Sequence, residues 1–437
     1  MTELKKKLNL YGLTMIAVGS CIGAGIFTAP GQVAAGIDSQ AFVLMIWLLG
    51  GFVALMGALT FAELGSLFPK SGGVYVYLKE AYGDMAGFLY GWVILLIINT
   101  GAMAFLAELF VEYIVAFDFF AQFGKDWLAV SVILLLTGLN IFGVNIIQVF
   151  ANLFTGLKLL AIVAIVVLGL WFVQSKGVET FEFTFSNAPE DYWTPIFVGL
   201  IGVFFSMGGW HHTTYLSGET INASKNVPRA MVFGVLIVTL MYMLINWVYM
   251  LLLPLPDIAA TRTVAGDAFS QIFPLWGSRA ISILVAVSVF GTIGIYTVTA
   301  PRIYFAMARD GIFFKQLAYL HPQYKTPVVA MVAQAIVTCF LIIAFDKLYD
   351  LMAFVTFMDI LFMTLAAISI FVFRIKMKDV NRLVKVPFYP VVPLIFILLS
   401  GIFVAVTLMQ VPGPTWWAMA ILAVGIPVYY LFKWNKK

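Results

Sequence analysis

The sequence predicts an all-α polytopic membrane protein of twelve transmembrane helices, of which the first and the sixth are discontinuous. Three observations lead there: 62% hydrophobic against 11% charged residues, a concentration of basic residues in alternate joints, and two glycine-rich interruptions at matching places. Ordinary soluble domains carry about 25% charged residues. A chain of 437 residues and mean hydropathy +1.01 cannot cover a water-facing surface of that size. Twelve spans of about 20 residues use roughly 240 positions, which leaves joints and no separate soluble domain.

The spans are apolar runs bounded by charged or Pro/Gly-rich joints. Runs 10–32, 42–67, 85–116, 128–144 and 148–173 make a first group of five. A polar stretch follows in which Lys176 stands among Glu179, Glu182, Glu190 and Asp191. Runs 193–217, 230–253, 277–308, 327–345 and 348–373 make a second group, and runs 387–409 and 415–432 close the chain. The expected organisation is therefore a first repeat over 1–173, an external loop over 174–192, a second repeat over 193–373, and two further spans with a cytoplasmic C-terminus over 374–437. Lys and Arg collect in cytoplasmic joints. Nineteen of the 25 basic residues fall in or beside one alternate set of joints, five in or beside the other, and Lys158 lies inside a span. Both termini are expected in the cytoplasm, with the chain in the cell membrane.

Several chemistries are excluded at once. Cys21 and Cys339 lie in separate apolar runs and offer neither a disulfide framework nor metal-ligand spacing. With only His211, His212 and His321, and with no HExxH, phosphate loop or GxSxG elbow, no enzyme, ATP-driven pump, metal or cofactor is expected. No nucleic-acid partner is expected either.

The first span holds Gly19-Ser20-Cys21-Ile22-Gly23-Ala24-Gly25-Ile26-Phe27, and the sixth holds Phe205-Ser206-Met207-Gly208-Gly209-Trp210. Each interior glycine costs a helix about 1 kcal/mol relative to alanine. Close helix packing through small residues is one use for such clusters; position argues for another. Spans one and six open two successive groups of five, and five is odd, so the second group is inverted relative to the first. Interrupted segments at matching places in inverted halves point to a midplane substrate site in a secondary transporter. A broken helix bares N–H groups at one half and C=O groups at the other, which take an anion and a cation respectively. An α-amino acid zwitterion carries both. Neither interruption contains an acidic side chain, so neutral substrates are expected.

These pieces, GSCIGAGIF in span one, ALTFAELGSLFPKSGGVYVYLKEAYG over 58–83, FFSMGGW in span six, KNVPRA over 225–230 and RIYFAMARDG over 302–311, resemble the amino acid/polyamine/organocation superfamily. The likeness is closer to its L-amino-acid transporter branch and, within it, to a bacterial alanine-serine-cysteine exchanger. It implies the five-plus-five inverted-repeat fold of the leucine transporter and sodium-independent exchange of small neutral L-amino acids by alternating access. By the same resemblance, backbone N–H groups of Gly23, Ala24 and Gly25 meet the substrate carboxylate. Carbonyls at Cys21 or Ile22 and near Phe205, in the Ser206–Gly208 stretch, meet the amino group. Phe205 falls at an aromatic lid, Tyr242 lies near the pocket, and Lys158 bridges span one to span eight where sodium sits in sodium-coupled relatives. His211 stands where many animal members have Asn.

Read from chemistry alone, Lys158 at mid-helix costs at least ~2.5 kcal/mol on insertion and marks function by default, with snorkelling to the cytoplasmic edge as the alternative. Glu63 reads as a structural ion-pair partner, and Glu108 and Glu112 as outer, water-near residues. His211 and His212 read as pore-lining or packing groups. Asp359 is the candidate proton carrier if transport is instead proton-coupled symport. Animal members of the branch join a heavy glycoprotein through a cysteine between spans three and four; residues 116–127 contain none. Expected partners are thus small neutral amino acids and the lipid bilayer, without a disulfide-linked heavy chain.

Overall fold

The computed structural model describes residues 4, 6–23, 25–37, 39–176, 193–261, 263–344 and 348–434. Among these residues it is all helix, with a lone bridge between Leu8 and Thr220. In chain order the helices are α1 (Leu10–Cys21), α2 (Gly25–Ala34), α3 (Gln40–Leu67), α4 (Val74–Tyr82), α5 (Asp84–Val93), α6 (Asn99–Ile114), α7 (Asp118–Ala121), α8 (Lys125–Asn140), α9 (Val144–Lys176) and α10 (Trp193–Met207). There follow α11 (His212–Tyr215), α12 (Ala223–Leu252), α13 (Leu255–Ala260), α14 (Val264–Ile272), α15 (Gly277–Thr299), α16 (Pro301–Arg309), α17 (Val328–Ala344), α18 (Leu348–Lys376), α19 (Val391–Gln410) and α20 (Pro412–Trp434).

Each of the twelve apolar runs contains helix. Eight helices among the described residues are long and apolar enough to cross a membrane, and the α1/α2 pair, bent by 43°, makes a ninth. The remaining runs fall short: α17 has 17 residues, α8 has 16, and α10 has 15 before it breaks. At 1.5 Å per residue these reach roughly 22–26 Å, less than the hydrocarbon thickness of about 30 Å. The outer surface is that of a lipid-facing protein. On α9, Leu153, Leu157, Leu160, Val163 and Val167 form one exposed apolar stripe, the inverse of a soluble helix.

The interrupted helices lie at the centre. α1 packs against α12, α9 and α15, while α2 packs against α10. Many hydroxyls inside the bundle bond their own helix, as where Thr60 donates to the Met56 carbonyl at 2.8 Å and Thr137 to Ile133 at 2.7 Å, the usual recourse of hydroxyls in apolar surroundings. A π turn, Ile94–Ile98, interrupts the α5–α6 span. It rotates the helix face just before Asn99, and such turns recur at functional sites.

Glu63 is the buried ion-pair partner expected. It accepts from Arg374 at 2.6 Å and from the Val386 N–H at 2.9 Å, with the Arg382 Nε 3.0 Å away. Glu108 is half-buried and Glu112 exposed. The acidic residues of the 174–192 joint lie outside the described residues.

Candidate functional site at two helix breaks

At Ile22 the backbone leaves the helix with ψ 82°, although its N–H still reaches the Val18 carbonyl at 2.8 Å. The last four carbonyls of a helix have no partner within it. Here each of the four from Gly19 to Ile22 meets a side chain from a neighbouring helix. The Lys158 ammonium on α9 donates to Gly19 at 3.0 Å and to Ile22 at 2.8 Å. The Tyr242 hydroxyl on α12 donates to Cys21 at 2.8 Å, and the Tyr296 hydroxyl on α15 lies 3.4 Å from the Ser20 carbonyl.

Lys158 does not snorkel; its residue is 2% exposed. Its third donor goes to the Thr292 Oγ1 on α15 at 2.6 Å, and that oxygen is itself 3.1 Å from both the Gly19 and Ile22 carbonyls. All three ammonium hydrogens are used. Hydrogen bonds to a charged group contribute about 1.5–3 kcal/mol each, which offsets a burial cost of several kcal/mol for the ion. α1 is thereby pinned to α9 and α15 together.

The second break presses on the first. α10 ends at Met207, and Gly209 takes φ +100°, a left-handed conformation that glycine adopts at no steric cost. A Cβ there would lie 2.8 Å from the Ser20 carbonyl oxygen, and a Cβ on Gly25 would lie 2.7 Å from the Ser206 Cα. Only glycine allows these two backbones to touch. Tyr242 completes the junction, since the hydroxyl that meets Cys21 is also 3.0 Å from the Ser206 carbonyl.

Beside this junction is a cavity of about 30 Å³, room for about one water molecule. Phe205 and Gly208 line it together with Asn99, His211, Tyr296 and Asp359. The Phe205 ring meets Phe105 edge-on at 5.1 Å. His211 Nε2 is 3.7 Å from Asp359 Oδ1, and His212 Nδ1 pairs with the Thr299 hydroxyl at 2.8 Å. Two acceptors on this wall, Asn99 Oδ1 and Asp359 Oδ1, are buried with no hydrogen-bond partner among the described residues.

Ion pairs and hydrogen bonds tie the elements at the basic end of the bundle together. Arg302 on α16 grips Glu219 through two bonds of 3.0 and 3.1 Å, both side chains fully buried. The Lys7 and Leu8 N–H groups donate to the Glu219 carbonyl at 2.8 and 3.0 Å. Nearby, Asp310 accepts from Lys79 at 2.5 Å and from the Tyr75 hydroxyl at 2.7 Å. Burial and the Asp310 carboxylate push that phenol up, so it remains a donor.

A family model described as amino acid permease matches residues 8–431. This chain belongs to the amino acid permease family. It is a family of transporters within the amino acid/polyamine/organocation superfamily, not of enzymes, and the chain lies on its L-amino-acid transporter branch. The large neutral amino acids transporter small subunit 2 of Homo sapiens is 32% identical over 437 residues, covering 98% of this chain and 80% of that one. The serine/threonine exchanger SteT of Bacillus subtilis (strain 168) is 31% identical, covering 99% and 98%. The b(0,+)-type amino acid transporter 1 of Mus musculus is 30% identical, covering 100% and 89%.

Of the permease residues singled out from sequence, Cys21, Ile22, Gly23, Gly25, Ser206, Tyr242 and Lys158 gather at the two breaks, and Phe205 and Gly208 line the cavity beside them. Ala24 lies outside the described residues. The Ile22 carbonyl faces Lys158 and Thr292; the Cys21 carbonyl faces Tyr242 and the second break. Sequence reasoning passed over Thr292, Tyr296 and Asn99. A signal for Thr292 existed: Gly291 and Gly294 flank it, and a Cβ on either would strike Phe154 or Phe150 of α9 at 2.6 and 2.2 Å.

Proposed function

We propose that this permease is a sodium-independent exchanger of small neutral L-amino acids, alanine, serine and cysteine, working by alternating access in the cell membrane. The observation that carries the reading is the single hydroxyl of Tyr242 within 3.0 Å of carbonyls from both breaks. The two interrupted helices therefore meet at one point, and in this reading their carbonyls take the positive end of a zwitterion while N–H groups past the first break take the negative end. In this reading the substrate carboxylate takes the N–H groups of Gly23, Ala24 and Gly25. The amino group takes carbonyls of Cys21 and of the Ser206–Gly208 stretch, and Phe205 covers them.

Lys158 supports sodium independence in this reading, since its ammonium already sits among three oxygens at 2.6–3.0 Å. In this reading the chain has twelve spans in two inverted groups of five, 1–173 and 193–373. The joint 174–192 is external, the last two spans fall in 374–437, and both termini are cytoplasmic. α8, α10 with α11, and α17 then span as short or broken elements. The cavity of about 30 Å³ is smaller than an amino acid, so entry requires the half-helices to separate. Substrate draws them together again while Lys158 keeps α1 against α15. The single chain acts without a disulfide-linked heavy subunit, since residues 116–127 lack a cysteine.

The experiment is counterflow in proteoliposomes of the purified chain, loaded with unlabelled alanine or serine, with sodium and pH varied separately. Accumulation of labelled substrate that needs internal amino acid but not sodium supports exchange. One observation favours a second reading, proton-coupled symport: Asp359 and His211 stand 3.7 Å apart on the cavity wall. Uptake driven by a pH gradient without trans-stimulation, and lost in Asp359→Asn, selects that reading instead.

A further inference from the structure

A groove of about 360 Å³ opens at the basic end of the bundle between α3, the start of α12 and the segment after α18. Three cations line it: Lys225, Arg229 and Lys385. No acidic residue lines it, and none of the three side chains has a hydrogen bond or ion pair among the described residues. The nearest buried carboxylate, Glu63, is already taken by Arg374, Arg382 and the Val386 N–H. Those same bonds fix the 382–386 segment against α3, so the groove has a rigid wall.

Charge and apolarity are ordered along the helix. Lys225 and Arg229 are four residues apart and share one face of α12. Phe233, Leu236 and Leu240 then follow toward the middle of the span, and they are 47%, 48% and 55% exposed. Leu383, 58% exposed, flanks the groove from the other wall. A phosphate at the mouth with hydrocarbon running inward matches that order. A soluble anion has no use for the apolar part.

We infer that this groove binds an anionic phospholipid of the surrounding leaflet, its phosphate held by Lys225, Arg229 and Lys385 and an acyl chain lying along Phe233 and Leu236. Basic recesses between transmembrane helices are general sites for anionic headgroups. The bound lipid ties the first turns of α12 to the segment that follows α18. α12 is also the helix that carries Tyr242, about 20 Å further along from Arg229, so lipid occupancy braces the helix on which both breaks lean. The inference does not depend on which substrate is carried.

The test is lipid retention by the purified full-length chain in native mass spectrometry, with thermal stability in detergent measured alongside. Dioleoyl-phosphatidylglycerol, dioleoyl-phosphatidylcholine and glycerol 3-phosphate are added in turn. Phosphatidylglycerol is expected to be retained and to raise the melting midpoint, whereas the other two leave it unchanged. Each basic residue near a headgroup is worth about fivefold, so Lys225→Gln/Arg229→Gln/Lys385→Gln weakens retention on the order of a hundredfold. Lys378→Gln, at the same end but outside the groove, leaves retention intact. Phe233→Gln keeps the cations and weakens retention through the acyl chain. Equal stabilisation by phosphatidylcholine, undiminished phosphatidylglycerol retention in the triple variant, or full reproduction of the effect by glycerol 3-phosphate overturns the lipid site.

Discussion

The Lys158 ammonium stands 2.8 Å from the Ile22 carbonyl, at the point where the first helix leaves its path. A charge at the end of one broken helix, held by an intact one, ties the two half-helices to different neighbours. α1 is bound to α9 and α15. α2 packs against α10 and the short helices α13 and α14.

Replacing that charge separates holding from binding. Lys158→Ala leaves the Gly19 and Ile22 carbonyls with the Thr292 hydroxyl alone. We expect counterflow to fall at least about tenfold, ~1.4 kcal/mol in the barrier, while the substrate concentration for half-maximal thermal protection changes less. Unchanged exchange in the purified variant rejects the role.

Tyr242→Phe removes one hydroxyl from between two carbonyls and keeps the ring against Trp47, 5.5 Å away. A hydrogen bond contributes about 0.5–1.5 kcal/mol, so apparent affinity should weaken roughly two- to tenfold with little loss of stability. Competition binding checks it. A large loss of melting temperature with affinity intact would mean that the hydroxyl only supports the fold.

At Gly25 one methyl group is enough. In Gly25→Ala the Cβ would lie 2.1 Å from Ser206 Oγ and 2.7 Å from its Cα, and overpacking of this kind costs about 1–3 kcal/mol. Transport should be abolished in protein that still inserts and purifies. Ser206→Gly should not rescue it, because the main chain of residue 206 still stands in the way. Normal counterflow in Gly25→Ala would mean that the two breaks do not need to touch.

The Arg302–Glu219 pair, fully buried and bidentate, belongs to stability rather than to substrate. Breaking such a pair from one side leaves an unpaired buried charge and costs about 3–5 kcal/mol. Glu219→Ala should therefore lower the melting midpoint well beyond what Lys79→Ala does at the exposed Asp310 pair, since exposed pairs contribute about 0–1 kcal/mol. Equal shifts in the two variants would contradict this ordering.

Much of the architecture was legible because composition and glycine placement are strong signals in a membrane chain. Gly19 to Gly25 and Gly208-Gly209 locate both breaks. Lys158 announced itself as a charge where none is expected. Thr292 and Tyr296 were not legible: a threonine hydroxyl in an apolar helix normally bonds its own backbone, as Thr292 also does to Ser288 at 3.2 Å, and only the packing of α15 on α1 brings it and the Tyr296 hydroxyl to Gly19, Ser20 and Ile22. Asn99 was hidden for another reason. The π turn before it shifts the helical register, and no periodicity argument made on a regular helix follows a side chain through such a turn. Span length was not legible either, since α8, α10 and α17 are shorter than the apolar runs that contain them.

In the reading proposed above, main-chain groups at two helix breaks hold both charged ends of an amino acid. The deciding measurement is competition against labelled L-alanine in the purified, reconstituted chain, using L-alanine, L-alanine methyl ester and N-acetyl-L-alanine, each of the last two lacking one charge. L-alanine is expected to compete fully, and neither capped derivative at a hundredfold higher concentration. Competition by either derivative at the concentration effective for L-alanine would overturn the two-ended grip.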